Sequence, residues 1–452
     1  MAITNKNFIK KEVVVGIDIG TSYIKGAVRD ANGEIISVYR KQSSANLSEE
    51  LINTMLWWKD VKSVMNGILS QFNNQHNHIV SMCVSAISPT LTVFDAKNPN
   101  EAYSILYSTL PKKKYQNSQY DSSLTETRLS VLRRVALEKQ FVKPCITDLV
   151  GYINWKLTGE LTINSISLSC LGAENTFNNN FLCVEDSIIP QIVSTIEKIG
   201  VTTELSLKEL GINYGISVCG GCPDVMGSIV GSGMKSTEDR MIYLGTFGSL
   251  LKLEQEKDLL LESKIIEKQP FNWLLSVPEF GAKIEMLSKE WFNEIPRVLC
   301  EKANKVSAGC NGTVFYLPRW KNGMNTVGKY KFNSNSNEVG LNFKSRAVLE
   351  SIAYAIQIIE KQLPQNIYVS GGGAQSQIWL DIISTVLRRR VLTLDYSWEC
   401  AGTADIAGRM FWKATDNHRS IYKSNVEIDI NNEILNNNFT KVEKYYYGNN
   451  WL

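Results

Sequence analysis

The chain has 452 residues, 44% of them hydrophobic and 21% charged, which is more than one hydrophobic core usually holds, so two or three domains are expected. Lys and Arg total 48 against 45 for Asp and Glu, and this net charge of +3 excludes the strongly basic character of a nucleic-acid or membrane-surface protein. Asp18 interrupts the apolar run near the start, and no stretch approaches the roughly 18 apolar residues of a membrane span, so a cytoplasmic protein with no membrane partner is expected. Nine cysteines, an odd number without framework spacing, fit free thiols in a reducing compartment.

The first forty residues read as a three-stranded meander: Glu12 to Gly20, then YIKGAVRD after a Gly-Thr-Ser turn, then EIISVYR after the turn Ala31-Asn32-Gly33. Apolar spacing turns helical from Leu47 to Phe72, and His78 to Val84 returns to a strand that Pro89 prevents from continuing. Residues 110 to 143 are polar and basic, and LVGYINWKLTGEL reads as a helix closed by Gly159. A strand, a Gly-rich loop and a short helix follow in YGISVCGGCPDVMGSIVGSG, and MIYLGTFGSLLKLE makes two strands joined at Gly245-Thr246-Phe247-Gly248. Gln365 to Ser370 is a strand, Gly371 to Ala374 a loop, and SQIWLDIISTVLRRR a helix with its basic residues in the last turn. The Asn-rich stretch from Asn431 to Asn438 reads as a solvated loop. Strand and helix alternate throughout, so the class is α/β, with a domain boundary near Lys235.

Two of these turns carry chemistry. A strand ending in Asp18, followed by Gly20-Thr21-Ser22 and a second strand, offers backbone N–H groups to phosphate oxygens with a carboxylate beside them to hold Mg²⁺ through water. A plain hairpin explains one such turn, but YLGTFGSL is a second and YVSGGGAQS adds a Gly-rich strand-to-helix loop. Cys219-Gly-Gly-Cys222 is weighed as a zinc or redox signature. Structural zinc needs four ligands and no second C-x-x-C exists, so two small core residues are the expectation. Lys112 to Lys114 and Arg388 to Arg390 read as solvated faces. Three histidines, none near a plausible nucleophile, argue against a Ser/His/Asp hydrolase.

In order along nearly the whole chain, these segments resemble the FGGY carbohydrate kinase family of the actin, hexokinase and Hsp70 superfamily. GIDIGTSYIK resembles its first phosphate motif, Trp57 and Trp58 its early helix, and LTGE a recurrent segment. GCPDVMGSIVGSG resembles the segment with the catalytic Asp, YLGTFGSL the second phosphate motif, RAVLESIAYAI the helix before the adenosine site, and GGGAQSQIWLDIISTVL the adenosine motif. The resemblance implies two actin-like (ribonuclease H-like) domains, residues 1–235 and 236–452, with a nucleotide cleft between them. It further implies an ATP- and Mg²⁺-dependent kinase acting on a small-molecule hydroxyl acceptor, with a homodimer as an allowed assembly. Asp224 would be the general base. Asp18, Gly20, Thr21, Ser22, Lys25, Gly245, Thr246, Gly371, Gly372, Gly373 and Ala374 would bind the nucleotide. Asp18 and Asp224 would serve the metal.

A helix N-cap is the competing explanation of Asp224, although the glycines 220, 221, 227, 231 and 233 around it suit close approach by a ligand. The acceptor segments depart from the family. Where Gly-Gln-Met-His-Gly is usual the chain has Ala86-Ile87-Ser88-Pro89-Thr90, and where Trp-x-Asp-x-Arg is usual it has Tyr107-Ser108-Thr109-Leu110-Pro111. Asn164 stands at the acidic position expected after LTGE. Ser88, Pro89, Thr90 and Tyr107 would line an acceptor pocket without fixed charge, so xylulose, glycerol, gluconate and ribulose are expected to be poor substrates. Two rivals remain from the sequence: a nucleotide-binding regulator or scaffold of the same fold, and an ATPase coupled to a redox partner through Cys219 and Cys222.

Overall fold

Val13, Val14, Val15, Ile17 and Ile19 are all fully buried, so the strand Lys11–Ile19 is apolar on both faces, as a central strand must be. The computed structural model, which describes residues 11–71, 77–106, 109, 124–171, 188–254, 269–321, 325–334, 339–361, 366–394, 397–412, 421–423, 432–449 and 451, sets this strand inside a seven-stranded sheet. It pairs antiparallel with Tyr23–Asp30, which pairs with Ile35–Gln42, and this is the expected opening meander. On its other side it runs parallel to Asn77–Ala86, which in turn pairs with Ser217–Cys219 and with the two-residue strand Cys222–Pro223. Helix Met55–Gln71 covers one face with Trp57, Trp58, Val61, Val64, Met65 and Ile68. The helix starts later than its sequence period suggests, because Ile52–Asn53 is drawn into a second, four-stranded sheet with Asn98–Ile105, Leu91–Asp95 and Pro144–Asp148. The polar stretch before Lys143 also holds a helix, Leu124–Glu138, which buries Leu129, Val131, Leu132 and Val135.

Among the described residues, those of Met1–Gly233, Asp258–Gln269 and Ser397–Arg419 form one compact unit, and those of Met234–Lys257, Pro270–Tyr396 and Ser420–Leu452 form another. The late helix Trp398–Arg409 thus belongs to the first unit. It lies on helix Asp224–Ser232 so closely that a Cβ at Gly231 would stand 2.1 Å from the Trp398 carbonyl oxygen, and one at Gly402 1.9 Å from that of Gly227. Only glycine permits this crossing.

The second unit has a six-stranded sheet in the order Phe271–Val277, Gly248–Leu253, Arg240–Leu244, Ile367–Ser370, Leu392–Leu394, Ile421–Lys423. Its core packs helices Leu341–Ile359 and Gln377–Leu387 around Ile242, Leu250, Val369 and Trp379. The Asn-rich stretch is not a solvated loop: Asn432–Gly448 is a helix. Leu435, Val442 and Tyr446 recur on one buried face. The fully buried Asn438 donates to the Gly309 carbonyl oxygen at 2.8 Å and to the Tyr354 hydroxyl at 3.3 Å. Local composition hid an apolar stripe of helical period. Among the described residues no helix is long and apolar enough to cross a membrane.

Candidate active site

Sheet register assembles the site in the first unit. Asp18 faces Lys25 across the antiparallel hairpin and Ser85 across the parallel pair, and Ser85 in turn faces Cys222, two residues before Asp224. The Ser85 hydroxyl donates to Asp18 Oδ1 at 2.9 Å, and Lys25 Nζ stands 3.4 Å from Asp18 Oδ2. The hairpin closes tightly, with Gly20 N donating to the Tyr23 carbonyl oxygen at 3.1 Å and Ser43 N to that of Ser22 at 2.9 Å. Thr21 and Ser22 occupy the solvent side of this turn.

Three residues that the sequence reading did not single out come from the late helix and its approach. Lys25 Nζ donates to Ser397 Oγ at 3.0 Å and lies 3.4 Å from Glu399 Oε2. Ser397 also donates to Glu399. The Thr403 hydroxyl lies 2.8 Å from Ser85 Oγ and 2.7 Å from the Glu399 carbonyl oxygen, and its single proton serves one of the two. No sequence signal marks these residues, because only packing brings them to Asp18.

Asp224 is the first residue of its helix, with Pro223 at the N-cap position and no side-chain cap bond; its Oδ1 accepts from the adjacent Val225 N at 2.9 Å. Asp224 thus stands one residue past the N-cap position and takes up a first-turn N–H from there. Burial raises the Asp224 carboxyl to about 8, assisted by the Asp18 and Glu399 charges. Burial raises Asp18 as well, with Lys25 opposing and Glu399 assisting. The Asp18 and Glu399 carboxylates together hold the Lys25 ammonium well above its usual range, overcoming its burial. Two carboxylates, those of Asp18 and Glu399, thus flank one ammonium, and Asp224 lies near enough to feel all three charges. Among the described residues no group of three or more His, Cys, Asp or Glu side chains could hold a metal ion. The set fits Mg²⁺, which keeps several waters and takes only one or two protein carboxylates.

Four of the glycines near Asp224, Gly220, Gly221, Gly227 and Gly231, serve the chain's own packing. A Cβ at Gly220 would meet the Ser194 carbonyl oxygen at 2.1 Å, and Gly221, at φ +82°, would meet that of Val84 at 2.6 Å. Of the five glycines expected to clear space for a ligand, Gly227 and Gly231 also meet the chain's own backbone, whereas Gly233, at φ +74°, has nothing within 4 Å of its Cβ position. Cys219 and Cys222 are buried free thiols, with Cys219 Sγ 2.9 Å from Met410 Sδ, and burial pushes Cys222 well above the usual thiol range. Neither thiol has the exposure that redox exchange requires.

Ser88, Pro89 and Thr90 lie beside the Asp18 strand, since Ile87 N donates to the Ile19 carbonyl oxygen at 2.9 Å. Ser88 Oγ donates to Ser167 Oγ at 3.5 Å, and Thr90 Oγ1 is buried without a hydrogen-bond partner. Tyr107 and Lys112 to Lys114 lie outside the described residues. The neighbouring segment is not free of charge, because Arg128 Nε donates to the Thr109 carbonyl oxygen at 3.4 Å. Asn164 caps helix Ser165–Cys170 through Oδ1, while its Nδ2 donates to the Gly221 carbonyl oxygen at 2.7 Å, a donation no carboxylate could make. That bond accounts for an amide at this position.

In the second unit the other motif residues converge. Tyr243 pairs with Ser370 on parallel strands, so the Gly245-Thr246 turn and the loop Gly371 to Ala374 leave the same sheet end side by side. Gly371, at φ +90°, would meet the Leu244 carbonyl oxygen at 2.7 Å if it carried a Cβ, whereas Gly372 faces open space and Gly373 packs on the Trp379 ring. Ala374 is buried.

Residues 13–142 match the model of the FGGY family of carbohydrate kinases, N-terminal domain. The xylulose kinase of Staphylococcus xylosus is 24% identical over 428 residues, covering 84% of this chain and 87% of that protein. Among solved structures, the ligand-bound xylulose kinase of Lactobacillus acidophilus has a TM-score of 0.71 at 15% identity over 97% of this chain and 98% of that one. The xylulose kinase of Rhodospirillum rubrum has a TM-score of 0.69 at 19% identity over 96% and 98%. The fold is the two-domain, actin-like fold of these solved kinases, and residues 13–142 are similar to the N-terminal domain of the FGGY family of carbohydrate kinases.

Proposed function

We propose that this protein transfers the γ-phosphoryl group of ATP to one hydroxyl of a small sugar-like metabolite, with Asp224 as general base. The observation that carries the reading is the placement of the half-buried Asp224 carboxyl at the first residue of its helix, two residues after the Cys222–Ser85 pairing that sets it beside Asp18, where desolvation raises it to about 8. A carboxyl raised toward neutrality is matched to taking a hydroxyl proton as that oxygen attacks phosphorus. In this reading Asp18 and Asp224 hold hydrated Mg²⁺, which when bound supplies charge neutralisation at the phosphates. Lys25 and the Gly20-Thr21-Ser22 turn take phosphate oxygens; Gly245, Thr246 and Gly371 to Ala374 serve the nucleotide within the second unit. Ser88, Pro89, Thr90 and Tyr107 take the acceptor. The atypical acceptor segments support a modified or less hydroxylated compound rather than a common pentulose or glycerol.

A pentulose acceptor is a second reading, favoured by the relative from Staphylococcus xylosus, which is a xylulose kinase. One experiment separates the two. The purified protein is assayed with Mg–ATP against xylulose, ribulose, glycerol and gluconate, and against a metabolite extract read by mass spectrometry for an added phosphate. The first reading expects a phosphorylated product from the extract and weak turnover across the panel. A kcat/KM of about 10⁴ M⁻¹s⁻¹ or more for xylulose establishes the second, and no transfer to any compound refutes both.

A further inference from the structure

Lys25 Nζ is equidistant, at 3.4 Å, from Asp18 Oδ2 and Glu399 Oε2, and donates to Ser397 Oγ at 3.0 Å. The Glu399 side chain is 1% exposed and Lys25 19%. Burying a charged pair brings little net stability, because desolvation offsets the attraction. A fully buried carboxylate carried into this cluster by a helix from the far end of the chain therefore asks for another task. Lys25 and Asp18 are cross-strand partners on one hairpin and would pair without any third group. Glu399 and Ser397 instead share the ammonium, so that Asp18 Oδ2 is not its sole partner.

We propose that Glu399 is a positioning residue that draws the Lys25 ammonium off Asp18 and so leaves the Asp18 carboxylate available to a hydrated divalent cation. The proposal rests on the kinase reading above, in which Asp18 serves Mg²⁺. Without the Glu399 charge, Lys25 collapses onto Asp18, and metal and lysine then compete for one carboxylate. Ser397 acts in the same direction, since its hydroxyl contacts both Lys25 and Glu399. A role confined to packing the late helix would change stability but would not single out the metal.

The test is calorimetric and needs no turnover. Mg²⁺ is titrated into protein with ATP, and adenosine, which carries no phosphate, is titrated separately, for wild type, Glu399→Gln and Glu399→Asp. Glu399→Gln should raise the half-saturating Mg²⁺ concentration about tenfold or more, in the range of a lost charged hydrogen bond, and leave adenosine affinity unchanged. Glu399→Asp, which keeps the charge, should recover most of the loss. Ser397→Ala serves if Glu399→Gln does not fold, and should shift Mg²⁺ the same way by a smaller factor. Unchanged Mg²⁺ half-saturation, or equal losses for Mg²⁺ and adenosine, overturns the proposal alone. A wild-type protein that binds no Mg–ATP overturns the kinase reading, and this proposal falls with it.

Discussion

The Ser85 hydroxyl donates to Asp18 Oδ1 at 2.9 Å, and the two residues are direct partners on parallel strands. A hydrogen bond to a charged group contributes roughly 1.5–3 kcal/mol, so Ser85→Ala should leave Asp18 less acidic and weaken Mg–ATP binding by about tenfold or more. Isothermal calorimetry on the folded variant checks this. Affinity equal to wild type would mean that Asp18 needs no such donor.

Asp224 Oδ1 accepts from Val225 N, a bond that the amide oxygen of Asn can also accept, so Asp224→Asn removes the carboxylate without removing that bond. Its melting temperature should be no lower than wild type, while acceptor phosphorylation should fall by about two orders of magnitude or more, as expected for a lost general base. The paired measurement matters: retained turnover would remove the role of base, and a large loss of stability would return the residue to a structural one.

The glycines separate packing from ligand approach. Gly231→Ala would push a Cβ to 2.1 Å from the Trp398 carbonyl oxygen, so the two helices must part; overpacking of this kind typically costs roughly 1–3 kcal/mol. Denaturant unfolding should show that loss. A Cβ at Gly372 would meet nothing within 4 Å, so Gly372→Val should unfold close to wild type and still weaken nucleotide binding if the backbone there meets the ligand. Full nucleotide affinity in that variant would free the loop of the role.

Asp148 gives a pH test outside the proposed chemistry. It caps helix Leu149–Thr158, with Oδ1 accepting from Gly151 N at 2.7 Å, and burial raises its carboxyl from 3.8 to about 6. The folded state therefore holds a proton that the unfolded state has released between those two values. Stability from this group is complete below about pH 4 and is lost as pH rises through about 6, a change of roughly 3 kcal/mol. Asn caps as well as Asp but does not titrate. The stability of wild type relative to Asp148→Asn should thus decline across that window, and a difference that stays flat with pH would contradict it.

Much of the fold was legible because its signals are local. The Gly20 and Gly245 hairpins, the loop Gly371 to Ala374 and the helix ended by Gly159 each depend on backbone conformations within a few residues, which glycine and short polar side chains announce directly. The helix Asn432–Gly448 was not legible from composition, since the six polar residues from Asn431 to Asn438 outweighed Ile434 and Leu435 until the whole seventeen-residue stripe was in view.

The sequence by itself determined the α/β class, the family resemblance, and Asp18, Lys25 and Asp224 as the residues worth watching. Only the tertiary structure decided what surrounds them. Lys25 meets Ser397 and Glu399 across 372 and 374 residues of chain, and Ser85 meets Thr403 across 318. Such contacts have no local signature, because they follow from strand register and from a glycine-lined helix crossing that returns the late helix to the first unit. The same long-range packing gave the nearby glycines their purpose and set the charge balance at Asp18, because burial and neighbouring charge, rather than residue type, govern where a carboxyl titrates.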